Sequence, residues 1–178
     1  RREGSASNSF ARSLPGISES AMRHQLILDV CHRQVWGLVS LVLSWFQDGK
    51  FPIYLAPMAG VTDVIFREIC KGLGADVMVT EFVSAEGIIQ ADERTRKYTD
   101  FTDAQRPVGV QLFGADGQRM GEAAKKIIDW KQPDFIDINF GCPVNKVVSR
   151  NGGSSLLRDC PVLESVASGV ARAVGDQV

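Results

Sequence analysis

The sequence has no surplus of positive charge. Its 20 lysines and arginines face 21 aspartates and glutamates, for a formal net charge of -1. Binding to a phosphate backbone draws on a basic excess, so the chain by itself does not read as a nucleic-acid-binding module. Histidine is scarce: His24 and His32 flank Cys31, but none of the four cysteines (Cys31, Cys70, Cys142, Cys160) stands in a CxxC pair. A zinc framework is therefore disfavoured, and no metal is expected. Cysteines so dispersed form no compact disulfide scaffold either, and 178 residues bury a core without staples. Reduced thiols in a cytoplasmic protein are the expectation. No apolar run reaches the about 20 residues of a membrane helix, because Asp29, His32, Arg33 and Gln34 interrupt the longest. A secretory core after Arg23 and Arg33 would lack an A-x-A-type cleavage site beyond Phe46. No G-x-G-x-x-G is present, and Gly152-Gly153-Ser154 has no Walker lysine, so neither a dinucleotide fold nor a P-loop is indicated.

What is present is the composition of a soluble globular protein, 44% hydrophobic and 23% charged. Residues 1–50 differ from the rest, with a net charge of +2 against -3 for residues 51–178. Arg1–Ser20 is rich in Ser, Gly and Arg without periodicity and reads as a disordered leader. The apolar Val35–Phe46 then reads as a short packing helix. Neither segment is placed in any motif.

From Phe51 onward two kinds of segment alternate. Ile53–Ala56, Val77–Glu81, Val108–Phe113 and Phe135–Asn139 are short apolar runs of strand length. They lack polar alternation, as parallel strands covered on both faces do. Between them, Thr62-Asp63 caps a helix over Val64–Lys71 that Gly72 and Gly74 close. Asp116 opens Gln118–Lys131, whose Met120, Ala123, Ala124, Ile127 and Ile128 share a face, and Pro161 starts a last helix. Four such units make an α/β protein. Special residues gather just after each strand, which suits the mouth of a (β/α)8 TIM barrel. A barrel takes eight units and about 250 residues, so residues 51–178 are expected to hold its first half.

The strand ends carry recognisable motifs: Leu55-Ala56-Pro57-Met58-Ala59-Gly60-Val61-Thr62-Asp63, Thr80-Glu81-Phe82-Val83-Ser84-Ala85, Val110-Gln111-Leu112-Phe113-Gly114, and Asp137-Ile138-Asn139-Phe140-Gly141-Cys142-Pro143-Val144-Asn145-Lys146. Asn151-Gly152-Gly153-Ser154-Ser155-Leu156-Leu157-Arg158-Asp159 follows. In this order they resemble the tRNA-dihydrouridine synthase family. One such turn is weak, since other FMN barrels share it; four at consecutive strand ends are a strong signal. The resemblance implies an FMN-binding barrel, NADPH as reductant, and tRNA as partner through a helical domain that this chain does not contain.

The chemistry explains the residue types. Reduction of the uracil C5=C6 bond needs hydride at C6 and a proton at C5 from the opposite side. A thiol, with a free pKa of about 8.5, is a proton donor at neutral pH. The resemblance puts Cys142 in that role; a buried structural thiol is the plainer alternative. Asn139 resembles the residue that holds the uracil edge, since an amide is both donor and acceptor, although a strand-end cap would use the same residue. Gln111 matches a glutamine that bonds the flavin's pyrimidine portion. Pro57, Met58 and Ala59 resemble the turn lying against the isoalloxazine. Glu81 positions a loop or contacts a ligand, Lys146 and Arg150 meet phosphates or solvent, and Cys70 and Cys160 pack. Two other functions stay open: a flavin-dependent reductase or dehydrogenase of free pyrimidines, and a truncated, non-catalytic interaction module.

Overall fold

The chain divides into residues 1–49 and 50–178, and the computed structural model describes residues 43, 45–46, 50–175 and 177. The leader and packing helix expected before Phe51, with Cys31, His24 and His32, thus lie almost wholly outside the described residues.

The second unit is built on a parallel sheet. Its strands are β1 (Met78–Val79), β2 (Val83–Ser84), β3 (Val108–Phe113) and β4 (Phe135–Ile138). Both β1 and β2 run parallel to β3, with Met78 opposite Val108 and Val83 opposite Leu112. Three residues cannot make a parallel crossover, which takes a dozen or more. These strands are therefore consecutive pieces along one edge of β3, and β4 pairs in parallel beside β3 from Gly109↔Phe135 to Leu112↔Ile138. The expected strand Val77–Glu81 is broken because Met78–Val83 contains one residue more than the Val108–Leu112 stretch it faces. That is a β-bulge at Thr80–Phe82. The side chain of Thr80 patches it: Thr80 N–H donates to the Gly109 carbonyl at 3.0 Å, while its hydroxyl accepts from Gln111 N–H at 3.3 Å.

The expected strand Ile53–Ala56 shrinks to a single parallel bridge, Tyr54↔Val77. Pro52 and Pro57 flank it without N–H donors, and three backbone bonds remain: Leu55 N–H to Val77 O at 2.9 Å, and Asp76 and Val77 N–H to Ile53 O at 2.8 and 3.1 Å. The Asp76 carboxylate latches the segment, accepting from Ile53 N–H at 2.9 Å and from the Lys50 ammonium at 2.6 Å. Asp76 is accordingly held below the usual carboxylate range, chiefly by Lys50 and then by the Ile53 amide. Taken along the sheet, the four strand lines follow chain order, without the reversal of a doubly wound sheet.

Helices cover one face. The caps read from sequence are present: Asp63 accepts from Phe66 N–H at 2.8 Å ahead of α1 (Val64–Gly72). Short α2 (Ala85–Ile89) and α3 (Glu93–Lys97) follow β2. Asp116 accepts from Arg119 N–H at 2.9 Å to open α4 (Gly117–Lys131). After α5 (Asn145–Val148), Asp159 caps α6 (Cys160–Val174), which begins one residue before Pro161. Val110 and Leu112 of β3 meet Met120, Ala123, Ala124 and Ile127 of α4 and Val166, Val170 and Val174 of α6 in one buried cluster. The two long helices cross at glycines: a Cβ on Gly169 would lie 2.1 Å from the Gly117 carbonyl oxygen.

Candidate functional site

Strand alternation sorts the polar residues onto one face. Val110 and Leu112 point into the helix-side cluster, so Gln111 between them points the other way. Gln111 is paired in register with Asp137 of β4, and its Nε2 donates to the Asp137 carboxylate at 2.5 Å. Asn139 lies two residues further, its N–H continuing the ladder to Leu112 O at 2.8 Å. Gln111, Asp137 and Asn139 therefore share the face turned away from the helices. Burial raises the Asp137 carboxyl above the ordinary value, with the Gln111 amide opposing it.

Asn139 organises the loop that carries Cys142. Its Oδ1 accepts from Gly141 N–H at 3.1 Å and Cys142 N–H at 2.9 Å. The amide is thus a strand-end cap through its oxygen, and its Nδ2 donors remain for other partners. The glycine-rich stretch closes from the opposite side. Ser154 N–H donates to Cys142 O at 3.0 Å, and Gly153 adopts φ +58°, where a Cβ would lie 2.5 Å from that oxygen. Gly153 therefore has a structural reason to be glycine. Cys142 is half-buried.

The Pro57–Ala59 turn is held by two residues. The Thr62 hydroxyl accepts from Met58 N–H at 2.9 Å and donates to Met58 O at 3.1 Å. Gly60 N–H donates to the Glu81 carboxylate, which the bulge brings across from the next strand line. Of the two readings of Glu81, positioning a loop is the one this bond performs. Behind the turn, Arg67 is 1% exposed and donates to Thr62 O at 2.5 Å, to Gln105 Oε1 at 3.1 Å and to Asp100 O. Burial lowers its guanidinium, and Asp63, Glu81 and Asp100 oppose the shift. Pro57 is half-buried, whereas Met58 and Ala59 are exposed.

Lys146 and Arg150 are exposed beside the Cys142 loop. Arg150 also lines a cavity of about 250 Å³ with Ser84, Phe113, Asp116, Arg119 and Val147. That cavity includes none of Gln111, Asn139 and Cys142; Gln111 and Asn139 are buried, at 7% and 6% exposed. Cys70 is half-buried on α1, and Cys160 is exposed at the start of α6. Among the described residues no His, Cys, Asp and Glu group is arranged for a metal, and no helix is long and apolar enough to cross a membrane. Sequence reasoning passed over Asp137, Thr62 and Thr80. For Asp137 a signal existed: a residue two before Asn139 on a strand shares its face.

The arrangement offers a thiol, oriented amides and a shaped backbone turn at the ends of consecutive parallel strands. Residues 54–178 match the family model for dihydrouridine synthase (Dus). A probable tRNA-dihydrouridine synthase of Aquifex aeolicus is 41% identical over 118 residues, covering 66% of this chain and 36% of the relative. The tRNA-dihydrouridine synthase B of Xanthomonas campestris is 38% identical over 122 residues, covering 68% and 36%. A probable tRNA-dihydrouridine synthase of Mycobacterium tuberculosis is 39% identical over 112 residues, covering 59% and 29%. The chain thus spans about a third of the length of the curated relatives it matches. With its motif residues gathered on one face of a parallel sheet, it belongs to the dihydrouridine synthase family.

Proposed function

We propose that residues 51–178 form the first half of the FMN-binding (β/α)8 barrel of a cytoplasmic tRNA-dihydrouridine synthase. The observation that carries this reading is the common face of Gln111, Asp137 and Asn139, with the Cys142 loop capped by Asn139 at its edge. Four strand lines in chain order support the barrel, since a barrel wall winds in one direction.

The residues present suit part of a flavin site. Gln111 Oε1 accepts no bond among the described residues, so an acceptor stands on the face turned away from the helices for an imide N–H. Pro57, Met58 and Ala59 offer a turn whose backbone is fixed by Thr62 and Glu81, with Met58 sulfur for packing. Bound FMN would supply hydride to C6 of uracil, with NADPH as the source of its electrons. Asn139 holds the uracil edge through its Nδ2 donors, directed at a carbonyl oxygen. Cys142 then gives its thiol proton to C5, and the thiolate regains one from water. The net change is uridine, NADPH and a proton to dihydrouridine and NADP+. Lys146 and Arg150 meet tRNA phosphates beside the reacting base.

The test uses the full-length protein that carries this chain. Cys142→Ala should retain FMN and its reduction by NADPH, while single-turnover reoxidation of the reduced flavin by tRNA slows by roughly 10²–10⁴-fold, the worth of a positioned acid. Reoxidation at the wild-type rate refutes the assignment of Cys142. Turnover of free uracil or dihydroorotate in place of tRNA would establish the free-pyrimidine reading instead.

A further inference from the structure

Asp137 is half-buried beside Gln111 and has no cation partner among the described residues: burial raises it and the Gln111 amide opposes. A carboxylate partly withdrawn from water without a paired cation is a cost to the fold, so its presence calls for a task. Its geometry supplies one. An ionised carboxylate only accepts hydrogen bonds, and Asp137 Oδ2 sits 2.5 Å from Gln111 Nε2. Rotating the Gln111 amide by half a turn would set its oxygen against the carboxylate oxygen, lone pairs facing. The neighbouring backbone gives Gln111 no competing anchor. Thr80 holds the Gln111 main-chain N–H, and neither side-chain amide atom has another partner among the described residues.

We propose that Asp137 is a positioning residue that locks the Gln111 amide with nitrogen toward β4 and oxygen toward the face turned away from the helices, so that the site selects a ligand group presenting an N–H donor. This deepens the flavin reading and rests on it: the selected group is the imide N3–H of FMN, and a ligand with that proton replaced is refused.

Two measurements on the full-length protein that carries this chain decide it. In the first, the side-chain amide of Gln111 is assigned in NMR spectra by its loss in Gln111→Met. One of its two protons should be shifted downfield and slow to exchange, and in Asp137→Ala both should become ordinary. An amide indifferent to Asp137→Ala overturns the lock, whatever binds. In the second, FMN and 3-methyl-FMN are titrated by flavin fluorescence. Wild type should prefer FMN by roughly tenfold, the loss expected when a buried acceptor goes unmatched. Asp137→Ala should reduce the preference to about twofold or less at equal thermal stability, and Asp137→Asn, which can still accept from Nε2, should retain part of it. A preference unchanged in Asp137→Ala refutes the role in selection. If neither flavin binds, the flavin reading and imide selection fall together, and the NMR result alone judges the lock.

Discussion

Replacing Gly169 by alanine tests the helix packing on which the whole sheet face rests. Gly169 lies within α6 at ordinary helical dihedrals, where alanine is about 1 kcal/mol better than glycine if nothing obstructs it. Here something does. The added Cβ would stand 2.1 Å from the Gly117 carbonyl oxygen, 2.6 Å from its carbon and 2.9 Å from its Cα. All three are backbone atoms at the start of α4, capped by Asp116, so no rotamer change relieves the clash. Ordinary contact requires retreat by about 1 Å or more, which prises Val166 and Val170 away from Met120 and Ala124. Overpacking of this kind costs about 1–3 kcal/mol, outweighing the propensity gain. A net loss of about 1–2 kcal/mol is expected, seen as a lower urea midpoint and a Tm lower by roughly 2–8 °C. Gly72→Ala, where a Cβ meets nothing within 4 Å, is the control and should lose nothing. The sign is decisive: a stabilised Gly169→Ala protein refutes the close approach of the two helices.

Thr80→Val keeps the shape but leaves Gln111 N–H without its acceptor, and should cost about 1–3 kcal/mol in urea unfolding, with Thr80→Ser close to wild type. Gly153→Ala forces a side chain into φ +58° and onto the Cys142 carbonyl, and should cost about 1–3 kcal/mol; a midpoint equal to wild type would show the Cys142 loop to be loosely seated. Asp137→Asn should stabilise the chain at neutral pH. The folded-state pKa of Asp137 is raised, so the native state binds more protons than the unfolded one between the two values and stability falls as pH rises through that window. The advantage of Asn should therefore shrink as pH drops toward the ordinary carboxylate range, and a pH-independent difference would count against a buried charge.

The long elements were legible because their signals are local. Asp63 and Asp116 each accept from a first-turn amide as cap residues do, and the unbroken apolar run of β3 is buried along nearly its whole length. The strand before it was misjudged for a reason outside its own residues. Val77–Glu81 reads as one strand, yet the extra residue at Thr80–Phe82 is defined only against Val108–Leu112 across the sheet. Likewise Gly117 and Gly121 look like weak points in a helix until Gly169 and Ser165 are seen pressed against them. The short helices α2, α3 and α5, of four or five residues, are too brief for any periodicity to register.

The site divides along the same line. Cys142, Asn139, Gln111 and the Pro57–Ala59 turn were singled out because they stand in contiguous motifs. What orients them comes from other strands. Glu81 reaches Gly60 across 21 positions, Asp137 meets Gln111 across 26, and Thr80 meets Gln111 across 31. Each of these bonds depends on register, which a single strand does not contain. The bulge makes the dependence concrete. One residue fewer between β1 and β2 would restore a regular ladder, return Gln111 N–H to a backbone carbonyl, and turn residue 81 to the other face of the sheet. Glu81 would then no longer reach Gly60, and the turn assigned to the flavin would lose a buried anchor. An irregularity in one strand thus shapes the turn offered by its neighbour, which is why reading each motif by itself singles out residues and not their geometry.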